Sequence, residues 1–264
     1  MSEPAFVGYS PSITRFVAER IGPLLRRWYR AETHGLDAFP STGGALVVSN
    51  HSGGMLTPDV MLFGSAYYDR FGYEDRPLIT LAHYGVVMGP LGDLMPKVGV
   101  IEASRENAAA ALDSGAVVLV FPGGDYDSYR PTMSDTVIDF NGRTGYVSTA
   151  IAARVPIVPS VSIGGQESQL FLTRGYGMAK LLRLTRARVE ILPITFGFPF
   201  GFSVLGPPNV PLPTKIVTQV LEPIDVIARF GPDPDVDDVD VYVRSVMQGA
   251  LNELARKRRF PIIG

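Results

Sequence analysis

Cysteine is missing from all 264 residues, and histidine occurs only at His34, His51 and His83. The first absence excludes disulfides, thiolate nucleophiles, zinc fingers and iron–sulfur clusters. The second leaves too few imidazoles for a histidine-based metal cage, and neither HExxH nor GxSxG is found. Charge is also scarce: 19% of the residues are Asp, Glu, Lys or Arg, against about 25% in an average protein. With a net charge of −2 there is no general attraction to nucleic acid, and an anionic partner would have to be met by local groups of arginine. The opening residues, MSEPAFVGYS, contain no basic stretch followed by an apolar one, so no export signal is read and a cytoplasmic location is expected.

Apolar side chains are what the sequence has in excess, at 46% of residues. A chain of this length buries roughly 70% of its surface on folding, which suffices for one sizeable core and a single domain. The longest run without charge, residues 191–214, has the 24 residues that a membrane-crossing helix needs. Six prolines and three glycines forbid that helix. Lipid accepts only backbone whose hydrogen bonds are satisfied, so the run is expected to lie at a membrane interface or wrap the protein's own core, without crossing.

Residues 1–35 read as a separate amphipathic segment. Ile13, Phe16, Val17, Ile21, Leu24, Leu25 and Trp28 recur at helical spacing, and Arg15, Arg20, Arg26, Arg27 and Arg30 mostly fill the other positions. Gly22-Pro23 is expected to kink or split it. Such a helix either anchors at a lipid interface or docks on its own domain with solvated arginines. The run Arg256-Lys257-Arg258-Arg259 before Phe260-Pro261-Ile262-Ile263 repeats the basic-plus-apolar theme.

From residue 45 onward, short apolar runs alternate with helical stretches. Strands are expected at 45–49, 77–82, 98–103, 116–121, 157–163 and 216–221. Helices are expected to open at Thr57-Pro58-Asp59, with Thr57 as N-cap and Pro58 at the first position, from the Ser104 cap to Gly115, and over 145–154, 169–184 and 236–258. Near-continuous apolar strands between helices predict an α/β fold with a mainly parallel central sheet flanked by helices. Asp233 to Asp240 departs from a calcium loop at its sixth and twelfth positions, and the Gly175/Gly177 fragment lacks the third glycine of a dinucleotide site.

One histidine stands out by place. His51 directly follows the strand at 45–49, within Asn50-His51-Ser52-Gly53-Gly54, and small residues let a ligand approach backbone closely. In open α/β sheets, ligands bind beyond the carboxyl ends of the strands.

Four blocks then carry a resemblance: Asn50-His51 with an acid downstream; Gly99-Val100-Ile101-Glu102-Ala103-Ser104-Arg105; Phe121-Pro122-Gly123-Gly124; and Val155-Pro156-Ile157-Val158-Pro159. In order and spacing they resemble the lysophospholipid (glycerolipid) acyltransferase superfamily over residues 45–167, with the Pro-Gly-Gly form looking like the branch that holds type-2 diacylglycerol acyltransferases. The resemblance implies an acyltransferase domain over 36–264. It implies transfer of a fatty acyl group from acyl-CoA, or acyl carrier protein, to a glycerolipid hydroxyl, with acyl-CoA as co-substrate and no cofactor. It further implies a peripheral place on the cytoplasmic side of a membrane. His51 would be the general base and an acid its partner.

The family's acid falls four residues after the histidine, where this chain has Leu56; the next acid is Asp59, eight residues on. A longer loop would have to bring Asp59 back, its alternative role being to complement a helix dipole, and Asp125 is the fallback partner. Asn50, Ser52, Gly53, Gly54, Gly123 and Gly124 are the candidate substrate-site residues. Arg105 and Arg130 are candidates for a phosphate, each with the alternative of a salt bridge or a solvated loop; Arg143 has no assigned role. Two other classes stay open, a non-catalytic lipid-binding protein of the membrane surface, and an esterase or thioesterase with water as acceptor.

Overall fold

Parallel strands buried on both faces read as unbroken apolar runs, and two of the expected strands are found residue for residue. The structure is a computed structural model that describes residues 8–134, 136–183, 190–204 and 209–260. Its strands are β1 (Glu32–His34), β2 (Ala45–Ser49), β3 (Leu78–Ala82), β4 (Val100–Glu102), β5 (Val117–Val120), β6 (Ile157–Ile163), β7 (Leu170–Thr173), β8 (Ile194–Gly197), β9 (Gly201–Val204) and β10 (Val217–Val220). The helices are α1 (Pro11–Trp28), α2 (Pro58–Phe71), α3 (Tyr84–Val87), α4 (Arg105–Asp113), α5 (Gly124–Ser128), α6 (Gly145–Ala153), α7 (Tyr176–Leu181), α8 (Val226–Phe230) and α9 (Val236–Lys257).

The large sheet has the order β1-β10-β6-β2-β5-β3-β4. β6, β2, β5, β3 and β4 are parallel, and β10 joins β6 antiparallel, so the expected single α/β domain with a mainly parallel sheet is what forms. One face packs on α4, α6 and α9 through Ala111, Leu112, Val147, Ala150, Val243, Met247 and Leu251. The other packs on α2 through Phe63, Tyr67 and Tyr68, with Phe39 beside them. Ser104 caps its helix as expected, accepting from Asn107 N, and Asp235 accepts from Asp237 N and Asp238 N, a helix cap in place of a calcium loop. Thr57, in the N-cap place of α2, makes no side-chain cap bond.

Three expectations change. The helix expected over 169–184 is instead strand β7 and short α7, separated by Gly175 at φ +69°, which passes so close to the Leu192 carbonyl that a Cβ would clash; its last residue, Leu184, lies outside the described residues. The proline-rich run holds a hairpin, β8–β9, which pairs with β7 in a second, three-stranded antiparallel sheet. Residues 205–208 of the run are outside the described residues, as are the apolar residues 261–263 near the C-terminus.

The third change is in α1, which continues through Pro23 as one 18-residue helix. It docks by only part of its apolar stripe, Leu25 packing against Tyr29, Leu62 and Ile216. Thr14 and Gly22 are buried, Gly22 sits against Ser65 of α2, and Arg26 donates to Ser65 Oγ (2.8 Å) and pairs with Asp69. Phe16, Ile21, Leu24 and Trp28 are left exposed. At the end of the helix Trp28 Nε1 donates to Pro211 O (3.2 Å) and Arg30 to Pro213 O (2.9 Å), fastening α1 to the proline-rich segment.

Candidate active site

The carboxyl end of β2 delivers residues 50–52 to the middle of the sheet, between β6 and β5. The chain then turns through three left-handed residues, Gly53 (φ +83°), Gly54 (φ +61°) and Thr57 (φ +40°), before α2 begins at Pro58. Glycine adopts this conformation at little cost, whereas a β-branched threonine there is strained. The result is closure: His51 Nδ1 lies 2.8 Å from Asp59 Oδ2 although eight residues separate them. The same Oδ2 accepts the Ser52 amide at 2.8 Å, and Oδ1 accepts the Val60 amide at 2.9 Å. Asp59 therefore serves the start of α2 and the imidazole together.

The His51 side chain is 13% exposed and that of Asp59 2%. With Asp59 ionised, Nδ1 carries the proton and Nε2 presents its lone pair; among the described residues no hydrogen bond reaches Nε2. Phe121 at the end of β5 backs the ring, centroid to centroid 4.4 Å. Burial alone would lower the imidazole pKa, but the Asp59 charge and hydrogen bond outweigh it, Asp127 adds to them while Arg130 opposes, and the net shift is upward.

The other candidates separate into groups. Asn50 is wholly buried and spent on the scaffold: its Nδ2 donates to Ser162 O (2.9 Å) and its Oδ1 accepts from Ser162 N (2.8 Å), which ties the end of β2 to β6. Ser52 is buried against Gly165. The space that glycine leaves open at four positions is filled by the protein and not by a ligand: Pro58 at Gly53, Phe171 and Tyr129 at Gly54, Asp127 at Gly123 and Arg143 at Gly124. The side chains of Asn50 and Ser52 and the space beside the four glycines are thus taken up within the loops.

Arg130 is 3% exposed and paired with Asp127, so its guanidinium is not presented to a phosphate. Arg105 opens α4 after β4, three strands from β2 in the sheet order or about 14 Å at the usual strand spacing, and is not gathered with His51. The fallback acid Asp125 faces away and pairs with Arg143 (3.1 Å); Arg143 also donates to Gly123 O (2.9 Å), which gives it a loop-holding role.

Two contacts at the site escaped the sequence reading, in which Asp127 was only one of two acids beside an intended phosphate and Gln166 was not singled out. Asp127, two positions after Asp125, folds back over Gly123 and accepts the His51 amide. Gln166, just past β6, accepts the Gly53 amide (3.3 Å) and donates to the Ser128 and Arg130 carbonyls. An acid in the third block and an amide beside Gly164-Gly165 were the available signals. Among the described residues no group of three or more His, Asp and Glu side chains is placed to hold a metal ion.

Comparison with known proteins agrees with this architecture. The chain is 32% identical to an uncharacterized protein of Mycobacterium tuberculosis, over 96% of this chain and 69% of that protein. It is 28% identical to the "DGAT1/2-independent enzyme synthesizing storage lipids" of Bos taurus, over 74% of this chain and 56% of that enzyme. The fold is shared with the 1-acyl-sn-glycerophosphate (LPA) acyltransferase PlsC of Thermotoga maritima, with TM-score 0.56, 17% identity, and coverage of 93% of this chain and 82% of that one. The acyltransferase family profile matches residues 30–163, just over half of the chain, and this protein belongs to the acyltransferase family.

Proposed function

We propose that the protein moves a long-chain fatty acyl group from acyl-CoA, or acyl carrier protein, to the hydroxyl of a neutral glycerolipid, a mono- or diacylglycerol, at a membrane surface. The observation that carries this reading is the 2.8 Å His51–Asp59 contact with Nε2 left to face a substrate. An alcohol is almost fully protonated at pH 7, and a neutral imidazole removes its proton as the oxygen attacks the thioester carbonyl. Asp59 fixes the tautomer and stabilises the imidazolium. When the tetrahedral adduct collapses, the carbon–sulfur bond breaks and His51 returns the proton to the departing thiolate. No covalent enzyme intermediate is required, so a chain without cysteine loses nothing.

A neutral acceptor is supported by the arginines beside the third block. Arg130 is committed to Asp127, Arg143 to Asp125 and the Gly123 carbonyl, and Arg174 to the carbonyl of Tyr126 (2.8 Å). Asp59 adds negative charge beside His51, which repels a phosphate, while the charge of Asp127 is offset by Arg130. The name of the bovine relative, an enzyme synthesizing storage lipids, is consistent with an uncharged product.

The membrane surface is supported by an exposed apolar rim. Phe16, Leu24 and Trp28 of α1 lead through the Trp28–Pro211 bond to Val210, whose amide bonds Phe198 O (2.8 Å) at the β8–β9 turn. Phe198 and Phe202 are 79% and 71% exposed. The rim borders the site, since Leu212 N bonds Ser168 O (2.7 Å), two residues from the Gln166 that holds Gly53. Contiguous exposed apolar surface of this kind marks an interaction face, and the arginines of α1 suit anionic lipid. Among the described residues no helix is long and apolar enough to cross a membrane.

The test is to incubate purified protein with labelled long-chain acyl-CoA and separate vesicles of monoacylglycerol, diacylglycerol, lysophosphatidate or other lysophospholipids, then repeat with His51→Ala. Esterified neutral lipid with matching release of CoA, lost in a folded His51→Ala protein, is the expected result. Free fatty acid as the only product would establish a hydrolase instead. Background CoA release from both proteins would leave a lipid-binding protein, and preferential use of lysophosphatidate would overturn the neutral acceptor.

A further inference from the structure

Three consecutive main-chain amides of the histidine loop are each held by a side chain from a different part of the fold. His51 N donates to Asp127 Oδ2 (2.5 Å), Ser52 N to Asp59 Oδ2 (2.8 Å) and Gly53 N to Gln166 Oε1 (3.3 Å). The second carboxylate oxygen of Asp127 pairs with Arg130, and Gln166 Nε2 donates to the Arg130 carbonyl. The loop, Asp127, Arg130 and Gln166 therefore close a ring of hydrogen bonds beneath His51. The side chains of Asp127 and Arg130 are only 2% and 3% exposed.

A buried ion pair is a poor device for stability alone. Removing two charges from water costs several kcal/mol each, and well-packed apolar residues of the same volume serve as well or better. Burial pushes the Asp127 carboxyl up, and Arg130 and the His51 amide pull the other way. Paired with Arg130 as a carboxylate, it supplies a short, charge-assisted bond to one particular amide. We propose that Asp127, held in place by Arg130, is a positioning residue: it anchors the main chain of His51 and so fixes where Nε2 points. This rests on His51 being the general base. The charge has a second effect. The charged groups facing the imidazole are Asp59 from α2, Asp127 from α5 and Arg130 after it; Asp127 favours the imidazolium and Arg130 opposes it. The pair therefore leaves the position of the ring more changed than its basicity, as long as both members stay.

Asp127→Asn keeps an acceptor for the His51 amide but removes the charge and leaves Arg130 facing the ring. The expected outcome is a fall in kcat with KM unchanged within about twofold, and an acidic limb of the pH profile that moves to lower pH. Asp127→Ala removes the acceptor as well, and its kcat is expected to fall on the order of 10²-fold, the cost of a displacement of about 1 Å at a reacting group. Asp127→Asn combined with Arg130→Met gives a neutral pair of similar volume that keeps the fold if the unpaired arginine unsettles it. In that protein the acidic limb returns toward the wild-type position while kcat stays lowered. With only three histidines in the chain, the His51 imidazole is assignable by NMR from the signal lost in His51→Gln, and its titration follows the same shifts without turnover. Wild-type kcat, pH limb and His51 titration in folded Asp127→Asn and Asp127→Ala would overturn the proposal. If His51→Ala itself turned over normally, the general-base reading would fall first, which keeps the two failures apart.

Discussion

The loop from Asn50 to Asp59 and the rim of α1 and the β8–β9 hairpin are inversions of each other. The loop is rich in polar groups and buried, with Asn50, Asp59 and the amides of residues 51–53 all bonded within the protein. The rim is apolar and largely exposed, its side chains touching near neighbours, as Phe202 does Phe196 and Phe16 does Arg20. Buried polar groups are normally satisfied internally. Among the described residues, Ser52 Oγ in this loop is buried without a hydrogen-bond partner and His51 Nε2 is left unbonded, while the main chain is held in place. Exposed aromatic side chains gain when something outside covers them. Under the proposed function, the loop would act on where atoms sit and the rim on how much protein is at the lipid.

Four substitutions or titrations sharpen this division. The largest effect belongs to His51→Ala, expected to lower kcat/KM on the order of 10⁴-fold, the upper range for a lost general base, with the circular dichroism spectrum retained. Asp59→Asn follows at roughly 10²- to 10³-fold, because an amide no longer fixes the tautomer with Nε2 unprotonated; unchanged kinetics would remove Asp59 from the chemistry. At the rim, Leu24→Glu with Phe198→Glu is expected to lower flotation with anionic vesicles about tenfold or more, since burying each apolar side chain is worth about 1.5–3 kcal/mol. Turnover of a dispersed short-chain acceptor should remain within about twofold, and a loss there equal to the flotation loss would break the division of labour.

The smallest effect is in pH. His51 titrates above its ordinary value of 6.5, so kcat/KM is expected to rise with pH through a limb lying above that value. A raised folded-state pKa contributes stability below the unfolded value that is lost as pH rises through the folded one. Thermal stability should therefore decline slightly across the same window in which activity climbs. His51→Gln should remove that decline, as followed by melting curves at several pH values.

The sheet was legible in the sequence because β2 and β6 are buried on both faces and leave uninterrupted apolar runs at 45–49 and 157–163. β7 to β9 were not. Their exposed Leu170, Leu172, Phe196 and Phe202 break the inside–outside alternation that identifies a strand. At the site, His51 was visible from its place after β2. Closure of the loop onto Asp59 needed a left-handed Thr57 beside Gly53 and Gly54, and residue preference speaks for the glycines alone. Arg130 was open to a phosphate, a salt bridge or a solvated loop in the sequence, and only packing reveals that it is a salt bridge, to Asp127.

The fastening of α1 to the proline-rich segment is made by the chain's one tryptophan. Trp28 is half in solvent on the rim itself, which makes it a native optical reporter. Its emission belongs to a single position, so a blue shift and protection from an aqueous quencher on mixing with vesicles would read out engagement of that edge without any label. If the rim engages lipid as proposed, the unmodified protein would carry its own gauge of how deeply that edge sits.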